Sequence, residues 1–142
     1  SGDHFARPAG GNAEAQAKKM NDCIFCKIAH EQKPERIHFE DNTVMAFDNI
    51  HPKAPVHILV IPKEHIQSIA HLEANHSDVI AKLIYTAKLI AGNLGLSGYK
   101  LIFNVGRQGG QAVDHLHLHV LGGWKSDDER AQGFIIDRLH HP

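Results

Sequence analysis

The chain has little cysteine, few aromatic residues and no excess of either charge. Only two cysteines occur in 142 residues, Cys23 and Cys26. A disulfide framework uses more of them at wider spacing, so a reducing, cytoplasmic setting is expected. Lys plus Arg number 15 against 16 Asp plus Glu. Without a basic block the chain lacks the electrostatic footprint of a duplex nucleic-acid binder. Its longest apolar run, residues 58–61, falls far short of the ~20 residues that span a bilayer. No membrane partner is expected, and the N-terminus lacks the apolar stretch of a secretory signal. What the chain does have is histidine: 13 of them in a length that fits one domain.

Residues 1–20 are rich in Gly, Ala, Asn and Gln and cannot bury enough apolar surface to offset their ordering entropy. They are read as a disordered tail, residues 21–123 as the domain, and the polar residues 124–142 as a C-terminal tail. Ile24, Phe25 and Ile28 predict a short N-terminal helix. Ile37 and Phe39 alternate with polar residues as a first strand, and residues 44–47 and 57–61 give a second and third, the latter stopped by Pro62. Ile80, Leu83, Ile84, Ala87, Ile90, Ala91 and Leu94 share one face at helical spacing, and Gly95 and Gly98 end that helix. Leu101, Phe103 and Val105 predict a fourth strand and residues 116–121 a fifth. The sum is an α+β fold: an antiparallel five-stranded sheet, one long helix and a short N-terminal one.

The chemistry concentrates in His115-Leu116-His117-Leu118-His119-Val120. Alternate side chains of a strand share a face, so three imidazoles line one side while Leu116, Leu118 and Val120 enter the core. A single strand histidine is usually structural; packing alone does not explain three in alternation. A metal site and nucleophilic or acid–base catalysis both use such a cluster. The preceding loop, Gly106-Arg107-Gln108-Gly109-Gly110-Gln111, supplies glycines that let backbone amides approach an anion. Only Asp114 flanks the histidines, so the carboxylate that often supports a hydrolytic metal is lacking.

The His-Leu-His-Leu-His-Val-Leu run resembles the signature of the histidine triad superfamily. Ala54-Pro55-Val56-His57, Leu59-Val60-Ile61-Pro62-Lys63, Gly109-Gly110-Gln111 and Leu121-Gly122-Gly123 resemble its Hint branch. The resemblance covers roughly residues 22–123. It implies a homodimer and hydrolysis of purine nucleoside 5′-phosphoramidates through a nucleotidyl-histidine. On it, His117 is the nucleophile, His119 contacts phosphate oxygens, and His57 and His115 support them. Asn104, Gly110, Gln111 and Ala112 fall on the phosphate side; Ile24, Phe25, Ile28, Phe47 and Ile50 form a slot for the base, and Asn49 falls at the ribose. No cofactor is required for that catalysis.

Two positions depart from the family pattern. Ala112 stands where a serine is frequent, and Asn49 where an aspartate grips the ribose. They keep open a second class of function, a nucleotide-binding or partner-binding module with slow residual hydrolysis. Cys23-x-x-Cys26 is half a zinc site. The resemblance completes it with His57 and His115 as a structural zinc; the alternative is two free thiols packed in the short helix. The remaining histidines (among them His38, His51 and His65) lack a common spacing and are read as surface residues.

Overall fold

Alternation along the central strands places apolar side chains on both faces of one sheet. The structure is a computed structural model that describes residues 22–131. The N-terminal tail and residues 132–142 of the C-terminal tail lie outside the described residues. Five strands, β1 (Ile37–Glu40), β2 (Val44–Asp48), β3 (Val56–Pro62), β4 (Tyr99–Ile102) and β5 (Leu118–Gly122), form an antiparallel sheet in the order β1-β2-β3-β5-β4. Two helices flank it, α1 (Ile24–His30) and α2 (Ser77–Asn93).

The two faces hold separate cores. Leu83, Ala87 and Ile90 of α2 pack on Val44, Ala46, Ile58, Val60, Leu116, Leu118 and Val120. Phe25, Cys26 and Ala29 of α1 pack on Met45, Phe47, Leu59 and Ile61. Because β2 and β3 are covered on both sides, they read as continuous apolar runs. Each fully buried aliphatic side chain contributes ~1.5–3 kcal/mol of transfer free energy. Helix α2 ends where Gly95 takes φ 70° and the Leu96 amide bonds back to the Ala91 carbonyl at 2.9 Å.

The five strands and both helices match the expected architecture, with three local corrections. The fourth strand runs from Tyr99 to Ile102, and Phe103 and Val105 lie beyond it. Its last partner is His119, so the chain leaves the sheet there and enters the glycine loop. The fifth strand begins at Leu118, just after His117, whose ring turns back to the His115 carbonyl. On α2, Ile84 and Leu94 are exposed, outside the buried stripe of Leu83, Ala87, Ile90 and Ala91.

Candidate active site and metal centre

Side chains from α1, β2, β3, β5 and the loops between them converge on one cavity of about 620 Å³. Helix α1 contributes Phe25, Ile28 and the half-exposed Ile24, and β2 contributes Phe47. The loop between β2 and β3 contributes Asn49, the exposed Ile50, His51 and Lys53; β3 contributes His57 and Leu59. His117, His119, Asn104, Gly110 and Ala112 close the opposite wall. One end is therefore apolar and the other carries imidazoles and amides, the division expected of a small-molecule pocket.

The proton positions on the imidazoles follow from their partners. His117 Nδ1 lies 2.7 Å from the His115 carbonyl oxygen, which can only accept. Nδ1 therefore carries the proton and Nε2 keeps its lone pair. The Phe25 ring meets the His117 ring edge-on at 5.1 Å and fixes its plane. His57 Nδ1 accepts from the Lys53 backbone N–H at 3.0 Å, so neutral His57 carries its proton on Nε2. That proton is donated to His119 Nδ1, 2.9 Å away, which leaves His119 with an Nε2–H. The Asn49 amide is oriented by its Oδ1, which accepts from the His51 backbone N–H at 2.9 Å. Its Nδ2 then faces His57 Nε2 at 3.3 Å, donor to donor, and both amide hydrogens stay unspent on the imidazoles.

Burial keeps these rings neutral. Desolvation, then the Lys53 and His117 charges, pushes His57 down to about 4 from the ordinary 6.5. Desolvation with His117, His57 and Lys53 does the same to His119, also to about 4. Desolvation lowers His117 too, against the opposing hydrogen bond from its own Nδ1 to the His115 carbonyl. A neutral imidazole with a free lone pair is a nucleophile; a protonated one is not.

The glycine loop shapes the phosphate-side wall. Gly110 takes φ 90°, and a Cβ there would meet Asn104 Nδ2 at 3.2 Å. Asn104 in turn donates to the Gly109 carbonyl at 2.8 Å. Gln111 does not line the cavity, contrary to expectation. It is buried, accepts from the Gly106 amide at 2.9 Å and donates to the Gln67 and Val113 carbonyls at 2.7 and 2.9 Å. Its amide is used up bracing the loop.

His115 departs from the row of three. It is fully buried and lies outside the cavity, among Cys23, Cys26 and His65, whose ligand atoms all fall within 4.8 Å of one another. His115 Nε2 donates to the Pro62 carbonyl at 2.9 Å, which leaves the Nδ1 lone pair facing the Cys23 and Cys26 sulfurs at 3.3 and 3.4 Å. His65 Nδ1 lies 3.1 Å from Cys26 Sγ. Two thiols and two imidazoles, one held by a backbone carbonyl in the ligating tautomer, make a donor set that fits a closed tetrahedral zinc. Burial pushes the Cys26 thiol up to about 12, assisted by Cys23. A bound cation reverses that balance.

This corrects the expected ligand set: His65 takes the fourth position and His57 does not. At ~3.3 Å per strand residue, His57 lies about 13 Å along β3 from Ile61, the end where the cysteine helix packs. His65 sits just past that end. Its signal in the sequence was weak, since it follows Pro62 in a loop without ligand spacing. His38 is also drawn out of the surface class: it lies where the β1–β2 register shifts, and it bonds Asp48 at 2.7 Å.

Known proteins resemble this chain in sequence and fold. A family model described as "Scavenger mRNA decapping enzyme C-term binding" matches residues 22–131. The chain is 44% identical over 103 residues to Adenylylsulfatase HINT1 of Arabidopsis thaliana, covering 70% of each. It is 43% identical over 105 residues to the 14 kDa zinc-binding protein of Brassica juncea, covering 72% of this chain and 93% of that one. It superposes on a solved HIT family hydrolase from Legionella pneumophila with a TM-score of 0.70 and 46% identity, across 73% of this chain and 95% of that one.

Proposed function

Because the chain belongs to the histidine triad superfamily, we propose that it is a hydrolase that releases a purine nucleoside monophosphate from a 5′-phosphoramidate through a nucleotidyl-His117 intermediate. The observation that carries this reading is the His117 tautomer: Nδ1–H is spent on the His115 carbonyl and the Nε2 lone pair is left in a cavity that also receives the His119 Nε2–H. In the reading, Nε2 attacks the α-phosphorus. The P–N bond breaks with its electron pair on nitrogen, and the amine leaves after taking a proton from solvent. Water then attacks phosphorus, the P–Nε2 bond breaks, and Nε2 recovers its lone pair as the water proton is released. His119 Nε2–H donates to a phosphoryl oxygen as charge accumulates there, and Asn104 and the Gly110 backbone hold the phosphate. The base lies against Phe25, Ile28 and Phe47, with Ile24 and Ile50 at the rim, and Asn49 reaches the ribose.

Cys23, Cys26, His65 and His115 would hold a structural zinc, which supplies no chemistry to the reaction. Bound there, it would tie α1 to the segment that carries His117. A second copy of the chain completes the assembly in this reading. Tyr99 and Leu101 on edge strand β4 and Ile84, Tyr85 and Leu89 on α2 are exposed, and apolar surface of this kind at a sheet edge suits a twofold homodimer. No described helix is long and apolar enough to cross a membrane; a cytoplasmic location rests on the cysteine usage.

The test is rapid quench with radiolabelled adenosine 5′-phosphoramidate. The full chain should accumulate one acid-labile nucleotide on histidine, and His117→Ala should lose the label and nearly all turnover while still binding the monophosphate. Turnover by His117→Ala within tenfold of the parent would sink the mechanism. The binding-module alternative draws on Ala112, whose methyl offers no hydrogen bond at the cavity wall; it is favoured if the parent binds the monophosphate but accumulates no label.

A further inference from the structure

We propose that Gln111 is a positioning residue for the substrate phosphate. It fixes the main chain of the phosphate-side wall, and its loss weakens phosphate recognition while leaving nucleoside recognition intact. The inference deepens the hydrolase reading above and rests on it.

Gln111 sits between two cavity residues without being one. Gly110 and Ala112 line the cavity, whereas the Gln111 side chain is buried behind them. Residues 103–117 lie outside the strands, so no sheet ladder fixes their peptide planes. Gln111 does so instead, with every hydrogen-bonding group it has. Its side-chain oxygen accepts from the Gly106 N–H at 2.9 Å, and its Nε2 donates to the Gln67 and Val113 carbonyls at 2.7 and 2.9 Å. Its own N–H donates to the Gly106 carbonyl at 3.0 Å, and its carbonyl accepts from the Arg107 guanidinium at 2.6 Å. The anchor at Gln67 is firm, because Ile66 before it is a core residue whose carbonyl accepts from the Leu116 N–H at 2.6 Å. One residue thus ties the front of the loop, its rear and the core together.

What this frame holds is the peptide that joins Gln111 to Ala112. Arg107 fixes its carbonyl, and in a trans peptide the N–H points the opposite way. The Ala112 N–H has no acceptor among the described residues, although Ala112 belongs to the cavity wall. A held, unspent amide in that wall is a donor for a phosphoryl oxygen, and it serves as one only while its direction is kept. The apolar end of the cavity is built by Phe25 and Ile28 of α1 and Phe47 of β2. A lost brace therefore appears in the affinity for phosphate and not in that for the nucleoside.

The experiment measures the dissociation constants of adenosine 5′-monophosphate and of adenosine by calorimetry on the full chain. The parent should bind the monophosphate more tightly. Gln111→Met keeps the bulk and removes the polar head; it should weaken the monophosphate about tenfold. Adenosine should weaken by about twofold at most, since its contacts are made by other elements. Gln111→Asn is one methylene shorter, cannot reach all three partners and should fall between; it carries the test if Gln111→Met does not fold. A merely structural residue would lower both affinities alike, so an equal loss for the two ligands would overturn the inference. No loss for either would do the same. A parent that binds the two ligands equally is a separate result: it rejects the phosphate side of the hydrolase reading and the inference with it.

Discussion

His115 and His117 are two residues apart, on the segment that leads into β5, yet they belong to different sites. The difference lies in which ring nitrogen a backbone carbonyl takes. The Pro62 carbonyl binds Nε2 of His115 and turns the Nδ1 lone pair toward two thiols. The His115 carbonyl binds Nδ1 of His117 and leaves the Nε2 lone pair to an open cavity. One nitrogen lone pair enters a closed, four-donor cluster; the other faces space large enough for a nucleotide. Main-chain acceptors thus divide identical side chains between a structural and a chemical task.

The sharpest way to break that division is to compare two other histidines, His65 on the thiol side and His57 on the cavity side. His65→Ala should strip the metal and cost about 4 kcal/mol or more, on the order of 10 °C in Tm, since loss of a metal is among the few mechanisms that large. Turnover should fall with it, because α1 carries Phe25, the residue against the His117 ring. His57→Ala should keep about one zinc per chain and the parent Tm within a few degrees, yet lose turnover by about a hundredfold through the broken bond to His119. Metal content by mass spectrometry and Tm by calorimetry check both. Loss of zinc from His57→Ala instead would restore the ligand set read from the sequence and erase the comparison.

The sequence made the cavity more legible than the metal centre, for a physical reason. Strand alternation is a local rule, and it placed Leu116, Leu118 and Val120 in the core. The same rule put His115, His117 and His119 on the opposite side but could not say that His115 would turn away to the thiols. The ligand set depends on distance along β3, which separates His57 from His65, and on a loop that carries no period. Gln111 misled in a similar way: a polar residue after two glycines reads as an anion contact, and only its three hydrogen bonds reveal a brace. The fourth strand was displaced because apolar alternation continues through Phe103 and Val105, beyond the last residue that has a partner on β5.

A smaller effect sharpens the chemical side of the comparison. Ala112 is exposed at the cavity wall, next to Val113 and the loop that holds the phosphate end. A hydroxyl there would donate to a phosphoryl oxygen or to the departing amine. Its neighbours do not substitute for it: Gln111 is committed to backbone groups, and Arg107 binds the Gln111 carbonyl at 2.6 Å and Asp114 at 3.1 Å. A missing bond of this kind costs about 1–3 kcal/mol, and each ~1.4 kcal/mol is tenfold in rate. Ala112→Ser should therefore raise kcat about ten- to a hundredfold with little change in KM, the pattern of a group that acts in the transition state. An equal gain in affinity and no gain in kcat would assign the hydroxyl to ground-state binding, and no change at all would remove position 112 from the chemistry.

The smallest expected effect concerns Asn49, which touches both the ribose end and the histidine pair. An aspartate there keeps the acceptor for the His51 amide and exchanges the second amide nitrogen for an oxygen, about where Nδ2 now lies 3.3 Å from His57 Nε2. Toward the ribose the exchange is favourable, because a charge-assisted bond is roughly twice as strong as a neutral one. Asn49→Asp should tighten ribonucleotide binding by ~1 kcal/mol, about fivefold, and leave the deoxy analogue unaffected. Toward His57 the effect has the opposite value. A carboxylate stabilises the imidazolium, so it raises a group that burial now holds at about 4, by about one unit. Below its raised pKa more of the enzyme carries a charged His57, and the acid limb of kcat/KM moves to higher pH by the same amount. The parent limb itself should lie below the ordinary histidine value of 6.5, since burial lowers His117, His57 and His119 together. Paired pH profiles of parent and variant, with ribose and deoxyribose substrates, separate the two arms. A shifted limb without a ribose effect would leave Asn49 beside His57 but away from the sugar; a ribose effect without a shift would mean that the new oxygen turns to the cavity. An unchanged preference and an unchanged limb would remove Asn49 from both roles.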